Sequence, residues 1–222
     1  VNDSRTLIRQ VLTFYKDPDF SVEASEFKEN FAKRQIAWCY SLGQSLRNRD
    51  AIKPLKGLMS DEEIKYIENH QNVPNAILML HARDLRNAKI EKKINMYQQV
   101  EIDNTLSRLC DEMGKCERIK NTIFPTTYSY LTKVFIWLFV VTFTLVISQD
   151  MGYWSIFMGW LIGFVFVSTQ INGMRLVNPF YVNASGLPLN SISRTIEINL
   201  LQMIKETDIP EPVKPINDEY IL

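Results

Sequence analysis

Residues 126–175 read TTYSYLTKVFIWLFVVTFTLVISQDMGYWSIFMGWLIGFVFVSTQINGMR, and this stretch decides the fold class. The 16 residues from Val134 to Gln149 carry no charge, and neither do the 24 residues from Met151 to Met174. A helix over Thr126–Ser148, rising about 1.5 Å per residue, is long enough to cross a hydrocarbon core of about 30 Å. Asp150 and Gly152 mark a short turn between the two runs. We therefore expect a transmembrane helical hairpin over residues 126–174.

The charged and aromatic residues around this hairpin indicate its orientation. Tyrosines and tryptophans lie near the ends of both runs, as they do at bilayer interfaces. Arg118 and Lys120 precede the hairpin, Lys133 lies near its start and Arg175 follows it, whereas the turn holds neither lysine nor arginine. The positive-inside rule then places both ends in the cytoplasm. We expect a multi-pass protein of the cell membrane with most residues cytosolic. A hairpin buried in a large soluble core is the alternative, which two uncharged runs joined by so short a turn disfavour.

Residues 1–125 predict a cytosolic region of amphipathic helices. Apolar residues recur there at the helical period in three segments, namely Leu7, Ile8, Val11, Leu12 and Tyr15, then Phe27, Phe31, Trp38 and Leu42, then Leu78, Ala82 and Leu85. Asp17-Pro18-Asp19 predicts the end of the first helix, and Ser60 with Glu63 has the spacing of a capping box. Because no strand-like alternation persists anywhere, we predict an all-α membrane protein.

The last helix before the hairpin, over roughly Glu101–Arg118, has a narrow apolar seam. Its members are spaced 4, 3, 4 and 3 residues apart: Ile102, Leu106, Leu109, Met113 and Cys116. Such a seam suits packing between long helices of one subunit or of two, and a core-facing helix of one domain explains it equally well. After the hairpin, residues 175–206 predict a cytosolic turn and an amphipathic helix. Residues 207–222, with three prolines, predict a flexible tail.

Composition excludes several classes of function. The formal net charge is +0, which gives no sign of nucleic-acid binding. Three cysteines without a CxxC motif argue against a disulfide framework. His70, His81, Cys110 and Cys116 fit no standard zinc spacing, so we expect no metal site. The chain also lacks a glycine-rich phosphate loop and the HExxH and GxSxG motifs, so we expect neither an enzyme nor a bound cofactor.

Several motifs resemble those of the bestrophin family, most closely its bacterial branch. The matching segments are Ser4–Gln10 (SRTLIRQ), Cys116–Thr122 (CERIKNT) followed by Pro125 and Tyr128, Asn178-Pro179-Phe180, Leu187-Pro188-Leu189, and Arg194–Leu200 (RTIEINL), which contains Thr195 and Glu197. Two of these motifs flank the hairpin in the family's order, and the resemblance covers nearly the whole chain.

The resemblance implies a homo-oligomeric ion channel, a pentamer in this family, that conducts small inorganic ions through a lipid bilayer. It implies chloride as the conducted ion, although a bacterial relative passes monovalent cations. It also implies that two further membrane helices, one lining the channel neck, precede Val1. A non-conducting membrane scaffold or accessory subunit is the alternative.

Two departures from the family pattern concern charge. Eukaryotic members carry a calcium-binding acidic run after the Asn-Pro-Phe turn, whereas Tyr181–Gly186 here contains no carboxylate. Because calcium prefers six to eight oxygen ligands, we expect that calcium does not gate this protein. Bacterial members also often place two acids shortly before that turn, where this chain has Met174 and Arg175.

The resemblance places Tyr97 where the family narrows the cytosolic exit of its pore, at a position that is aliphatic in relatives. A ring of tyrosines would form an apolar constriction whose hydroxyls can contact a partly hydrated ion. We expect the polar segment Asn95–Gln99 to be a turn facing a water-filled space. The alternative is a loop aromatic packed against Ile94 or Ile102.

Overall fold

The computed structural model describes residues 1–16, 21–122, 125–175, 177–182 and 186–215, which contain no β-strand. Their α-helices are α1 (Asn2–Phe14), α2 (Val22–Leu46), α3 (Asp61–Glu68), α4 (Val73–Ile90), α5 (Met96–Asn121), α6 (Thr126–Met151), α7 (Trp154–Arg175) and α8 (Leu189–Met203). A single 3-10 turn, Lys53–Leu55, precedes α3. The all-α prediction is therefore confirmed. The predicted end of α1 at Asp17-Pro18-Asp19 lies outside the described residues.

The chain forms two compact units. One unit, here called the bundle, combines residues 1–120 with residues from Phe180 onward. The other, here called the hairpin, comprises residues 121–179. The chain thus leaves the bundle after α5 and returns to it before α8.

Helix α2 is the centre of the bundle, because it packs against α1, α4 and α8. Its N-terminus is capped by the Ser21 hydroxyl, which accepts a hydrogen bond from Ala24 N at 3.2 Å. Apolar side chains from five helices meet around it in one core, in which the largest fully buried members are Leu7, Ile8, Phe31, Ile36, Leu55, Ile67, Ile77, Leu80, Ile102 and Leu200. The predicted capping box at α3 is confirmed, with Ser60 and Glu63 bonded reciprocally.

The seam of α5 packs inside this same core. Ile102, Leu106, Leu109 and Met113 are buried among core residues of their own chain, and Cys116 at the end of the seam is half-buried. Of the two arrangements that the sequence left open, the structure shows the core-facing helix of one domain. The four buried members of the seam are therefore covered within the chain itself.

A buried arginine joins three helices of the bundle. Arg34 on α2 is only 4% exposed, and its guanidinium donates to Asp84 Oδ2 on α4 at 2.6 Å and to Glu63 on α3. A guanidinium is well suited to this role because its donors fan out in one plane. The two carboxylates compensate a charge that would otherwise be costly to bury.

The hairpin consists of α6 and α7, which pack along each other. No residue of α6 is buried within the chain, and bulky apolar side chains cover both helices. Both helices are long and apolar enough to cross a membrane by length and composition. The prediction that α6 ends at Ser148 is wrong, because the helix continues to Met151. The helix ends at Gly152, whose φ of +54° is a backbone conformation that residues with a side chain rarely adopt.

Two glycines allow the helices of the hairpin to approach each other. A Cβ atom added at Gly159 would overlap the Thr144 hydroxyl and lie 3.2 Å from Thr144 Cβ. A Cβ at Gly163 would lie 3.3 Å from Val140 Cγ2. Small residues at such positions allow close helix packing in membranes, where dispersion contacts replace the hydrophobic effect.

We predict that Gly159→Ala destabilises the hairpin, because the new methyl group must displace Thr144. Overpacking of this kind costs about 1–3 kcal/mol, so the purified full-length protein should have a lower midpoint of thermal unfolding in detergent. Adding Thr144→Ala to Gly159→Ala should recover part of the loss. Gly173→Ala is the matched control, because nothing lies within 4 Å of its added Cβ. An equal effect of Gly159→Ala and Gly173→Ala would contradict the prediction.

Candidate functional site

The candidate site comprises the connection between α4 and α5 and the helix ends next to it. These residues, 90–100, are here called the α4–α5 tip. Backbone hydrogen bonds hold its first half in place: Glu91 N donates to Asn87 O and Lys93 N to Ala88 O, both at 2.9 Å. Lys92 adopts a left-handed conformation with a φ of +60°. Lys16 N donates to Lys93 O at 2.9 Å and so ties the tip to the chain following α1. The tip is therefore a structured connection.

Helix α5 begins earlier than its apolar seam indicates. The Asn95 side-chain oxygen accepts from Gln98 N at 2.8 Å, and the Gln98 side-chain oxygen accepts from Asn95 N at 2.9 Å. These reciprocal bonds form a capping box, with glutamine three residues after the cap. The predicted turn over Asn95–Gln99 is therefore wrong, since only Asn95 lies outside the helix. The capping pattern was present in the sequence and would have identified this start.

Tyr97 is the second residue of α5, and its side chain is 87% exposed. Ile94 and Ile102 are buried in the core, at 4% and 1% exposure. The alternative that Tyr97 packs against either isoleucine is therefore excluded. Three further apolar side chains of the tip are largely exposed: Ile90, Met96 and Val100. The single chain thus presents an exposed tyrosine and exposed apolar side chains in one short segment.

Glu197, one of the two motif residues on α8, connects this helix to α2. Tyr40 on α2 donates its hydroxyl proton to Glu197 at 2.6 Å, and Arg194 pairs with the same carboxylate oxygen at 3.1 Å. Burial, reinforced by the hydrogen bond to Glu197, raises the pKa of Tyr40 well above its usual range. The phenol therefore remains a neutral donor at physiological pH. The Thr195 side chain is exposed, and its hydroxyl donates to Ser191 O of its own helix at 2.9 Å.

The remaining motif residues lie in both units. Pro125 is the N-cap residue of α6, and its carbonyl accepts from Tyr128 N at 3.1 Å. Asn178 and Pro179 belong to the hairpin and are partly buried. Phe180 belongs to the bundle, is 3% exposed, and helps to line an apolar cavity of about 240 Å³. That these residues have structural roles stays a prediction.

The cysteines and the buried histidine are not arranged for metal binding. All three cysteines are free thiols, and burial raises the pKa of Cys39 to about 11. His81 is fully buried with its ring 4.2 Å from that of Phe31, and burial followed by the charge of Arg34 lowers its pKa well below the usual value. Within the described ranges, no group of three or more His, Cys, Asp and Glu side chains could hold a metal ion.

We predict that the Tyr40–Glu197 hydrogen bond stabilises the packing of α8 on α2. Tyr40→Phe and Glu197→Gln should each lower the midpoint of thermal unfolding of the full-length protein, because a hydrogen bond to a charged group contributes about 1.5–3 kcal/mol. The double variant should lose less stability than the sum of the two single losses, since both changes weaken the same hydrogen bond. Thr195→Val is the matched control and should have little effect. Strictly additive losses would show that the two residues act independently.

Comparisons with known proteins identify relatives over nearly the whole chain. The model of a family described as bacterial and fungal bestrophin proteins matches residues 1–202. A voltage-dependent anion channel-forming protein of Escherichia coli O157:H7, YneE, is 27% identical over 212 residues, which cover 96% of this chain and 67% of that protein. A protein of the same description from Nostoc, alr2987, is 26% identical over 200 residues, covering 90% of this chain and 64% of its own length.

A solved structure is similar at the level of the whole fold. The crystal structure of a bacterial bestrophin homologue from Klebsiella pneumoniae superimposes with a TM-score of 0.84 at 26% sequence identity. The match covers 93% of this chain and 75% of that one. This chain therefore spans about two thirds of the length of the relatives that it matches in sequence.

Proposed function

This chain belongs to the bacterial and fungal bestrophin family, and from that premise we propose that it forms part of a subunit of an oligomeric membrane channel for small monovalent ions. The observation that carries the proposal is the family match over residues 1–202, which spans both the hairpin and the bundle. The apolar surface of α6 and α7 supports it, because helices of this length and composition require lipid or other apolar helices around them.

Anions are the proposed substrates, with chloride as the simplest case. The relatives from Escherichia coli and Nostoc are both named as anion channel-forming proteins. We further propose a homo-oligomer, a pentamer as the resemblance implies, in which a central pathway passes the copies of Tyr97. The exposed aromatic and apolar side chains of the α4–α5 tip fit a position where several copies of the chain surround a narrow space.

We propose that the hairpin crosses the membrane with its turn outside the cell. In the full-length protein, a cysteine at Asp150 should react with a membrane-impermeant thiol reagent added to intact cells. Cys110 is the internal control, because it is exposed on the bundle and should be labelled only after lysis. Labelling of Asp150→Cys only after lysis would contradict the proposed topology.

We propose that Tyr97 narrows the ion pathway. Tyr97→Ala should increase ion flux into liposomes several-fold, because a wider constriction is easier to hydrate. Tyr97→Phe retains the ring but loses the hydroxyl, so it separates the effect of hydration from contact between the phenol and the ion. Tyr66→Ala, which alters an exposed tyrosine on α3, is the control.

Native mass spectrometry of each variant should show the same oligomer as the wild type. If Tyr97→Ala assembles normally but changes neither flux nor permeability ratios, Tyr97 does not face the pathway. If the full-length wild-type protein assembles but passes no ions, the non-conducting scaffold is the better description.

A further inference from the structure

We infer that the basic side chains of the α4–α5 tip attract small monovalent anions to the pathway beside Tyr97 and so determine its charge selectivity. This inference rests on the proposed function, because it requires the tip to face an ion pathway. It adds the residues that would distinguish anions from cations, which are Lys92 and Lys93 of the tip and Lys89 in the last turn of α4 before it.

The first observation is an excess of basic over acidic side chains in residues 86–100. Residues 86–100 contain four basic side chains, Arg86, Lys89, Lys92 and Lys93, against the single carboxylate of Glu91. Lys89 and Lys92 are exposed and Lys93 is partly exposed. None of the four basic side chains forms an ion pair with another residue in the part of the chain that the structure describes. The tip is therefore locally cationic in a chain of zero net charge.

The second observation is the direction of α5. Its N-terminus lies at Met96, beside Tyr97, and its first turn contains no acidic residue. The N-terminal end of a helix of this length carries a partial positive charge of about half an elementary charge. Here no carboxylate of that turn neutralises it. The helix therefore adds to the potential of the lysines at the position of Tyr97.

A structural role for the lysines is the competing explanation. Basic residues at the C-terminus of a helix commonly bind its free carbonyl groups. At the end of α4, however, backbone N–H groups already occupy these carbonyls: Glu91 N bonds to Asn87 O, Lys92 N to Lys89 O and Lys93 N to Ala88 O. The ammonium groups are therefore not required to satisfy the end of α4, and they remain free to face solvent or passing ions.

The backbone also limits where these charges can move. The left-handed conformation of Lys92 and the hydrogen bond from Lys16 N to Lys93 O hold the loop next to the start of α5. In a homo-oligomer each copy contributes the same set, so the charges form a ring around the pathway. Rings of charged side chains select ions by sign in channels, and a cationic ring raises the local concentration of anions.

The test measures reversal potentials of the full-length protein in planar bilayers under a potassium chloride gradient. Lys92→Gln and Lys93→Gln should each lower the permeability ratio of chloride to potassium. If a substitution weakens the local potential by RT per mole of elementary charge, the anion is disfavoured and the cation favoured by the same Boltzmann factor. The permeability ratio then changes by the square of that factor, which is about sevenfold. Glu91→Gln should shift the ratio in the opposite direction.

Lys115→Gln is the matched control. Lys115 lies on the same helix as Tyr97, about 27 Å farther along at 1.5 Å per residue. This distance exceeds the screening length of about 10 Å at 0.1 M salt, so its removal should leave the ratio unchanged. The effects of Lys92→Gln and Lys93→Gln should also weaken in 1 M salt, where the screening length is about 3 Å.

A second experiment avoids comparison between separately folded variants. Lys92→Cys, in a Cys110→Ser and Cys116→Ser background, is modified in the bilayer with a cationic or an anionic methanethiosulfonate reagent. The cationic reagent should raise the ratio of chloride to potassium permeability and the anionic reagent should lower it, in the same channels.

The outcomes separate the inference from the function on which it rests. An unchanged ratio in conducting Lys92→Gln and Lys93→Gln channels, with no difference between the two reagents, would overturn the role of the lysines and leave the channel intact. Absence of ion flux in the full-length wild type would overturn the proposed function itself.

Discussion

The packing of α8 against α2 is the interaction on which the arrangement of the chain depends. Ile196 and Leu200 are buried in the core of the bundle, and Tyr40 bonds to Glu197 beside them. Helix α8 follows the hairpin in the sequence, whereas α1 to α5 precede it, so both ends of the hairpin connect to one compact unit. A hairpin joined at both ends to the same bundle must cross a membrane an even number of times. This connectivity is consistent with the proposal, drawn from the distribution of lysine and arginine, that both ends of the hairpin lie on one side of the membrane.

Local patterns in the sequence predicted the helices well, because the signals involved are themselves local. The uncharged runs, the capping box at Ser60 and the apolar period of α1 and α2 all act within a few residues. The errors arose at the ends of helices. Ser148 and Asp150 are polar and therefore suggested the end of α6. Polar side chains at the end of a membrane helix can, however, reach the interface without ending the helix. The backbone leaves the helical conformation at Gly152.

Partners distant in the sequence were not predictable from spacing. The period of the α5 seam shows that one face of the helix is buried, but the same period suits a partner within the chain or outside it. Arg34 and His81 are charged or polar residues that the structure buries. Arg34 reaches Glu63 and Asp84, which lie 29 and 50 residues away. No local pattern connects these three residues, so their network required the tertiary structure.

The α4–α5 tip shows why net charge is a poor guide to function in this chain. Acidic and basic residues balance overall, yet the hairpin is almost free of charge and the tip is cationic. Tyr97 came from the resemblance to a family, whereas the lysines near it in the sequence became notable only when the structure showed them without an ion pair among the described residues. The two features would act on an ion through different terms. An apolar ring forces a passing ion to lose part of its water, and the free-energy cost of that loss depends little on ionic strength. The lysines act through an electrostatic potential that salt screens within about 10 Å at 0.1 M. Ionic strength therefore separates their contributions, because raising it should reduce selectivity by charge while leaving the barrier from hydration in place.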